Sequence, residues 1–446
     1  MSGNCSSSSG AAGWRGAVTG RRGAAATAGL LFLATLVLGW LDLTPTRAPV
    51  ADEAWYLQKA LQIHDGRAGM FTTGVMPAYP LYMAAVLAVD RDALRTARCL
   101  AEKPPAADAC AIDLAGILWP QVVFLALAVG AAGWLLFCYL GGVVPAAVGS
   151  AFLLLSGPPL AFANQYLTEA LSFPLFLIFS AIPIAAVRRR TLALAVASGL
   201  LMAALALTRS SFLFGILPLI AVFVLGPRAE GGQRRAVSTA VAAAVFAVVI
   251  GSFLVQSHRV AGQAIPTTNK VVLVTRVAYN DLSPREWLAG WVFWLPRIGD
   301  RLADQLIPPE YVERLKFYGK DSIYSKVRHD LMVEYRENGG GNWLLKEKIL
   351  GDLGWHSAVT LLMAWRAAFI GGVWGAFGIL GMFLAVVLPA TRPYLGPLLI
   401  ISAVPVFTLG LQAFTAPPIE RYNIFLLLPM SASLGLLGAA ALRRIR

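Results

Sequence analysis

Short runs of acid, arginine and tyrosine recur beside long apolar stretches of this sequence, and the side chains in them could do chemistry together. The first is Asp52-Glu53 with Tyr56. At a helix start Asp52 would serve as an N-cap, and an acid in the first turn suits the helix dipole. Held at a membrane surface, the same carboxylate would act as a general base. On a helix, Asp52 and Tyr56 stand at i and i+4 on one face. The second run, Tyr166-Leu167-Thr168-Glu169, sets an acid between two apolar segments with almost no loop to solvate it. Carboxylates near the hydrocarbon boundary are costly and commonly functional. Capping the following helix is the plainer role for Glu169.

Arginine supplies the complementary charge. Thr208-Arg209-Ser210-Ser211 holds one guanidinium at the tip of a tight hairpin. It would fork onto the oxygens of a lipid phosphate, or snorkel to ordinary headgroups. Glu420-Arg421-Tyr422-Asn423 forms a similar tip, where Arg421 would reach an anion or pair with Glu420. Arg366, in Ala364-Trp365-Arg366, lies at the end of an apolar run and needs a partner. His64, His258, His329 and His356 show no tight metal-ligand spacing, so the case for a metal is weak.

The elements that must position these groups are set by composition. Apolar residues fill 57% of the 446 positions and charged residues 14%, with mean hydropathy +0.66. So little charge cannot cover a soluble surface, and a bilayer must be the solvent for much of the chain. A hydrocarbon core about 30 Å thick takes roughly 20 apolar residues per helix, and about ten such runs fit between Gly29 and Leu442. The reading is an all-α polytopic membrane protein. The net charge of +13 would suit nucleic acid. Its basic residues, however, cluster beside and between apolar runs: Arg15, Arg21 and Arg22, then Arg188, Arg189 and Arg190, then Arg228, Arg234 and Arg235, and finally Arg443, Arg444 and Arg446. Lys and Arg mark cytoplasmic loops, which argues against nucleic acid and puts both termini inside.

These clusters divide the chain. Residues 1–23 form a Ser/Gly/Ala-rich disordered cytoplasmic arm. Residues 24–256 form a transmembrane core, interrupted by a first outside loop at 42–112. Residues 257–356 form a second outside or interfacial segment, and 357–446 the last transmembrane helices. Juxtamembrane helices are expected in the first loop over 54–64 and from Pro80. In the second segment Trp287, Trp291, Phe293 and Trp294 lie beside Arg285, Arg297 and Arg301. That mixture suits a helix lying in the headgroup layer, or the aromatic core of a small soluble domain. Cys99 and Cys110 share the first loop. In an oxidising compartment they would form a disulfide or stay two separate thiols.

A family comes into view from these positions. Asp52-Glu53-x-x-Tyr56, followed by Pro77-Ala78-Tyr79-Pro80-Leu81-Tyr82, resembles the first periplasmic loop of GT-C glycosyltransferases. The likeness is to the bacterial family 39-like group, with its lipid A aminoarabinose transferases and relatives of protein O-mannosyltransferases. Tyr166-Leu167-Thr168-Glu169-Ala170-Leu171 looks like that group's second acidic turn. Gly199-Leu200 through Leu207-Thr208-Arg209-Ser210 resembles its Gly-Leu…Leu-Thr-Arg-Pro stretch, with Ser210 replacing the proline. Arg421-Tyr422 resembles the late Arg-Tyr motif before a terminal span, and segment 257–356 matches nothing in the group.

The resemblance implies a GT-C-like fold and a polyprenyl-phosphate-linked sugar as donor. Asp52 would take the proton from an acceptor hydroxyl as it attacks the anomeric carbon, with inversion there. Glu53 and Glu169 are implied to orient the acceptor or hold a divalent metal, the one cofactor in prospect. Tyr56, Tyr82, Arg209, Arg366, Arg421 and Tyr422 are implied in substrate binding, the arginines at the phosphate. The acceptor is a lipid, a glycan or a protein of the envelope, and membrane lipids are the other partners. Heavy use of Ala, and of Arg over Lys, points to a bacterial inner membrane.

Two other readings compete: a transporter or flippase of a lipid-linked or anionic substrate, and a non-catalytic protein of envelope-glycan assembly. Transporters put ionisable groups near the bilayer midplane and keep their loops short. Here the mid-span regions are almost free of charge, and polar groups collect at the outer surface, which favours an enzyme.

Overall fold

The computed structural model describes residues 20–72, 74–102, 110–140, 142–189, 191–225, 232–262 and 270–445. Among them every regular element is helical, as a lipid solvent requires when backbone groups must be satisfied within their own segment. The expected arm over 1–23 lies almost wholly outside the described residues, as do the side chains of the clusters at 188–190 and 228–235.

Two compact units divide the chain. The first comprises Met1–Thr267, Leu380–Val404 and Leu427–Arg446. Its helices run α1 (Arg21–Leu41), α2 (Asp52–His64), α3 (Ala78–Val89), α4 (Arg91–Glu102), α5 (Ala115–Leu140), α6 (Val143–Leu155), α7 (Pro158–Ala163), α8 (Glu169–Arg189), α9 (Leu192–Thr208), α10 (Ile216–Leu225) and α11 (Gly232–Ala261). In lipid no hydrophobic gain drives helix on helix, so small residues that let backbones approach set the pairs. A Cβ on Gly39 of α1 would come 2.6 Å from Val122 Cγ1 of α5. One on Gly149 of α6 would come 2.8 Å from the Ser431 carbonyl of the last helix, Leu427–Ile445. Ser431 Oγ donates to the Gly149 carbonyl at 2.6 Å across the same contact.

Five helices of the described residues are long and apolar enough to cross a membrane: Arg22–Leu41, Ala115–Leu140, Ala236–Ala261, Pro389–Thr415 and Glu420–Arg443. Leu353–Ala368 and Val373–Val387 would make a sixth as one span bent by 113°. The expected count of about ten is not reached on this test. The difference lies in shorter apolar helices such as Val143–Leu155, Leu192–Thr208 and Ser210–Val224. One apolar stretch, 144–162, breaks at Ser156-Gly157-Pro158, where Gly157 takes φ +90° and proline starts a new helix.

In the first loop α2, α3 and α4 pack on the start of α5 through a core that includes Leu57, Leu61, Met83, Leu87 and Ile117. A disulfide joins Cys99 at the end of α4 to Cys110, and the turn it closes, 103–109, lies outside the described residues.

The second unit comprises Thr268–Ile379 and Pro405–Leu426. Trp287, Trp291, Phe293 and Trp294 pack with Leu362 and Met363 in a hydrophobic core cluster. Trp287 Nε1 donates to the Ala358 carbonyl at 2.9 Å, and Trp365 Nε1 to the Trp291 carbonyl at 3.2 Å. The sequence reading passed over Arg276, which is fully buried. Its Nε donates to the Ala413 carbonyl at 2.5 Å and Nη1 to Asn280 Oδ1 at 3.1 Å. Its Nη2 donates to the His356 carbonyl at 3.0 Å and to Thr360 Oγ1 at 2.7 Å. Every one of these acceptors is neutral, and burial pushes the guanidinium pKa down to about 9.

Candidate active site

The two adjacent acids at the start of α2 have opposite surroundings. Asp52 is exposed and Glu53 is buried, at 4% exposure. The backbone between Val50 and Glu53 makes a tight turn, closed by Glu53 N–H donating to the Val50 carbonyl at 3.0 Å. Its first central residue, Ala51, has φ 47° and ψ −117°, the positive φ that a type II′ turn requires and that glycine usually supplies. Ala51 is also the N-cap of α2, with no side-chain capping hydrogen bond. Asp52 is therefore the first helical residue and not its cap, which corrects the plainer of its two expected roles.

Glu53 accepts from four donors on three residues. Arg47 Nη2 and the Tyr166 backbone N–H reach Oε1 at 2.6 and 3.2 Å. Arg47 Nη1 and the Val50 N–H reach Oε2 at 2.8 and 3.0 Å. With both oxygens doubly engaged, Glu53 has no lone pair to spare for a metal or a substrate proton. The role implied for it as acceptor guide or metal ligand gives way to a structural one.

The same network draws in the second acidic turn. Arg47 Nη2 also donates to the Asn164 carbonyl at 3.3 Å, and Asn164 Nδ2 to Asp42 Oδ2 at 3.0 Å. Gln121 of α5 donates to the carbonyls of Ala163 and Gln165, both at 3.1 Å, and accepts from the Tyr79 hydroxyl at 2.8 Å. Tyr56 is half-buried and meets the Tyr79 ring edge-on at 5.6 Å. The Tyr82 hydroxyl donates to the Ile117 carbonyl at 2.6 Å, tying α3 to α5. Arg47 falls in the loop expected outside, where the positive-inside bias argues against arginine. That signal could have found it.

Glu169 begins α8, buried at 3% exposure. Its Oε1 lies 2.9 Å from Arg209 Nη1, and Thr168 Oγ1 donates to its Oε2 at 3.1 Å. The guanidinium expected to stand alone at the hairpin tip is thus ion-paired, a correction that explains how both charges sit in so apolar a place: each neutralises the other.

Arg366, Arg421 and Tyr422 belong to the second unit. Arg366 lies over the Trp294 ring at 4.8 Å and the Phe317 ring at 5.4 Å, with one buried N–H that makes no hydrogen bond. Arg421 lies over the ring of Tyr422 at 5.4 Å. Among the described residues no group of three or more His, Cys, Asp or Glu side chains is placed to hold a metal ion. With Glu53 saturated and Glu169 paired, the described residues do not fit the divalent metal expected.

No known family matches the sequence as a profile, and no curated protein matches it significantly. Solved structures do match in shape. The oligosaccharyltransferase AglB of Archaeoglobus fulgidus, in complex with an inhibitory peptide and a dolichol-phosphate, aligns with 94% of this chain at 11% identity and TM-score 0.50. ArnT of Cupriavidus metallidurans, bound to undecaprenyl phosphate, aligns with 93% at 15% identity and TM-score 0.34, covering 77% of its own length. The chain spans 50% of the archaeal protein. The fold of this chain is similar to that of the archaeal oligosaccharyltransferase over the aligned part.

Proposed function

We propose that this protein is a membrane glycosyltransferase that moves a sugar from a polyprenyl-phosphate donor to an acceptor hydroxyl of the envelope, with Asp52 as general base. The observation that carries the reading is the split between neighbouring acids. Glu53 is locked by four hydrogen bonds, while Asp52 is exposed on a turn that costs energy to hold. An exposed carboxylate on a rigid, strained mount is what proton abstraction from a bound hydroxyl needs.

In the reaction, the acceptor oxygen forms a bond to the anomeric carbon from the face opposite the lipid. Its proton passes to the Asp52 carboxylate. The bond from the anomeric carbon to the phosphate oxygen breaks, its electron pair leaves with the lipid phosphate, and the carbon inverts. Tyr56, one turn along α2 from Asp52, is proposed to flank the reacting groups, and the Glu169–Arg209 pair to supply a fixed dipole. The reading places the reaction on the non-cytoplasmic side of a bacterial inner membrane, with both termini inside.

The test is transfer of label from undecaprenyl-phosphate sugars, mannose, glucose and arabinose each carbon-14 labelled, into material of the native membranes. Wild-type protein transfers label from one donor and Asp52→Asn does not. Vectorial movement of intact donor, or transfer by Asp52→Asn at the wild-type rate, overturns the reading.

A further inference from the structure

We infer that Arg47 is a positioning residue for Asp52: through Glu53 it holds the turn at Ala51 in its strained form and fixes that turn to the segment leading into Glu169. The inference rests on the transferase reading and goes beyond it, since neither the motifs nor the fold assigns Arg47.

A backbone at φ 47°, ψ −117° is one that L residues rarely adopt, and it persists only where its surroundings over-determine it. The alanine side chain contributes no capping bond that would do so. The Glu53 carboxylate bonds to the turn directly. It accepts from the Val50 N–H inside the turn and from the Tyr166 N–H beyond it. Arg47 closes the assembly with a two-pronged contact to both carboxylate oxygens. Its third contact, to the Asn164 carbonyl, anchors it on the second acidic turn, where Asn164 reaches back to Asp42. Residues from 42 to 53 and from 164 to 166 therefore share one continuous network, whose only strained member stands directly before the proposed base. A planar fork matches a carboxylate where an ammonium cannot, so lysine is a poor substitute.

Two measurements on purified full-length protein in lipid nanodiscs test this. In carbodiimide labelling of carboxylates read by mass spectrometry, wild type labels at Asp52 and is protected at Glu53, while Arg47→Ala labels at both. Glu53 labelling as readily as Asp52 in wild type overturns the clamp, whatever the protein catalyses. In transfer from the labelled donor, normalised to folded protein, Arg47→Ala lowers kcat about 10²-fold, the cost of misplacing a catalytic group by about 1 Å. Its donor KM stays within about twofold, and Arg47→Lys recovers only part of the loss. A clamp that is intact, with Asp52→Asn inactive and Arg47→Ala at wild-type kcat, sinks the positioning role alone. A clamp that is intact in a wild-type protein showing no transfer sinks the proposed reaction, and the positioning role with it.

Discussion

Replacing Glu53 by glutamine separates the roles of the two adjacent acids. Its carboxylate faces four donors, Arg47 Nη1, Arg47 Nη2, Val50 N–H and Tyr166 N–H, at 2.6 to 3.2 Å. A glutamine amide keeps one acceptor oxygen and turns the other into an NH2 group, a donor only. In either orientation two of the four donors then face a donor. A hydrogen bond to a charged group is worth about 1.5–3 kcal/mol, and breaking a buried ion pair costs about 3–5 kcal/mol. The Arg47 side chain is 36% exposed, so water recovers part of this, and the expected loss is about 2–4 kcal/mol. Asp52→Asn changes an exposed side chain and should move stability by no more than about 0.5 kcal/mol. Melting followed by tryptophan fluorescence in detergent, alongside label transfer, reads both. Glu53→Gln melts several degrees lower. Asp52→Asn melts with wild type and loses transfer by about 10²–10⁴-fold, the worth of a general base. If Glu53→Gln melted with wild type while Asp52→Asn melted low, the assignment of one acid to structure and the other to chemistry would be reversed.

Other perturbations probe the same physics elsewhere. Ala51→Gly relieves about 1–3 kcal/mol of backbone strain and returns about 0.5–1 kcal/mol to the unfolded chain, so the melting temperature should rise by the equivalent of about 1 kcal/mol. A fall would mean that the turn is not strained. Arg276→Ala leaves the carbonyls of Ala413 and His356 without their donors, and should cost about 3 kcal/mol or more. Hydrogen exchange should quicken in both Lys270–Ala278 and residues 405–415 of the second unit, and unchanged exchange in the latter refutes the link. Asp65 is hydrogen-bonded by His64 and paired with Arg67 and Arg98, which holds its carboxyl at about 2 instead of 3.8. A depressed carboxyl stabilises the fold above its unfolded pKa and loses that effect as pH falls towards its folded one. Asp65→Asn should therefore flatten the fall in melting temperature between about pH 4 and pH 2, and an unchanged slope counts against the cluster.

What could be read beforehand was what composition and period encode. The helical class and the two loop helices at Asp52–His64 and Ala78–Val89 follow from apolar spacing and proline placement. Span number did not follow, because breaks such as Ser156-Gly157-Pro158 divide apolar runs that composition alone joins. The pairing of Glu169 with Arg209 was hidden for another reason. The two lie forty positions apart in sequence, and only helix packing, of α8 against α9, decides that they meet. Arg276 escaped notice because its partners are main-chain carbonyls and neutral side chains, which carry no sequence signature.

The division of labour between Asp52 and Glu53 has a simple physical origin. In a regular first turn of a helix, neighbouring side chains diverge by about 100°, so when one of two consecutive acids points into protein the other is free to face out. Which acid goes inward is settled by where a donor set exists to receive it. Arg47 and the Tyr166 N–H form that set, and the Ala51 backbone bends to deliver Glu53 to them. The burial of one acid and the exposure of the other are a single event. A change that frees Glu53 must then disturb Asp52 as well, and activity lost on mutating Glu53 would be no evidence that Glu53 touches the substrate.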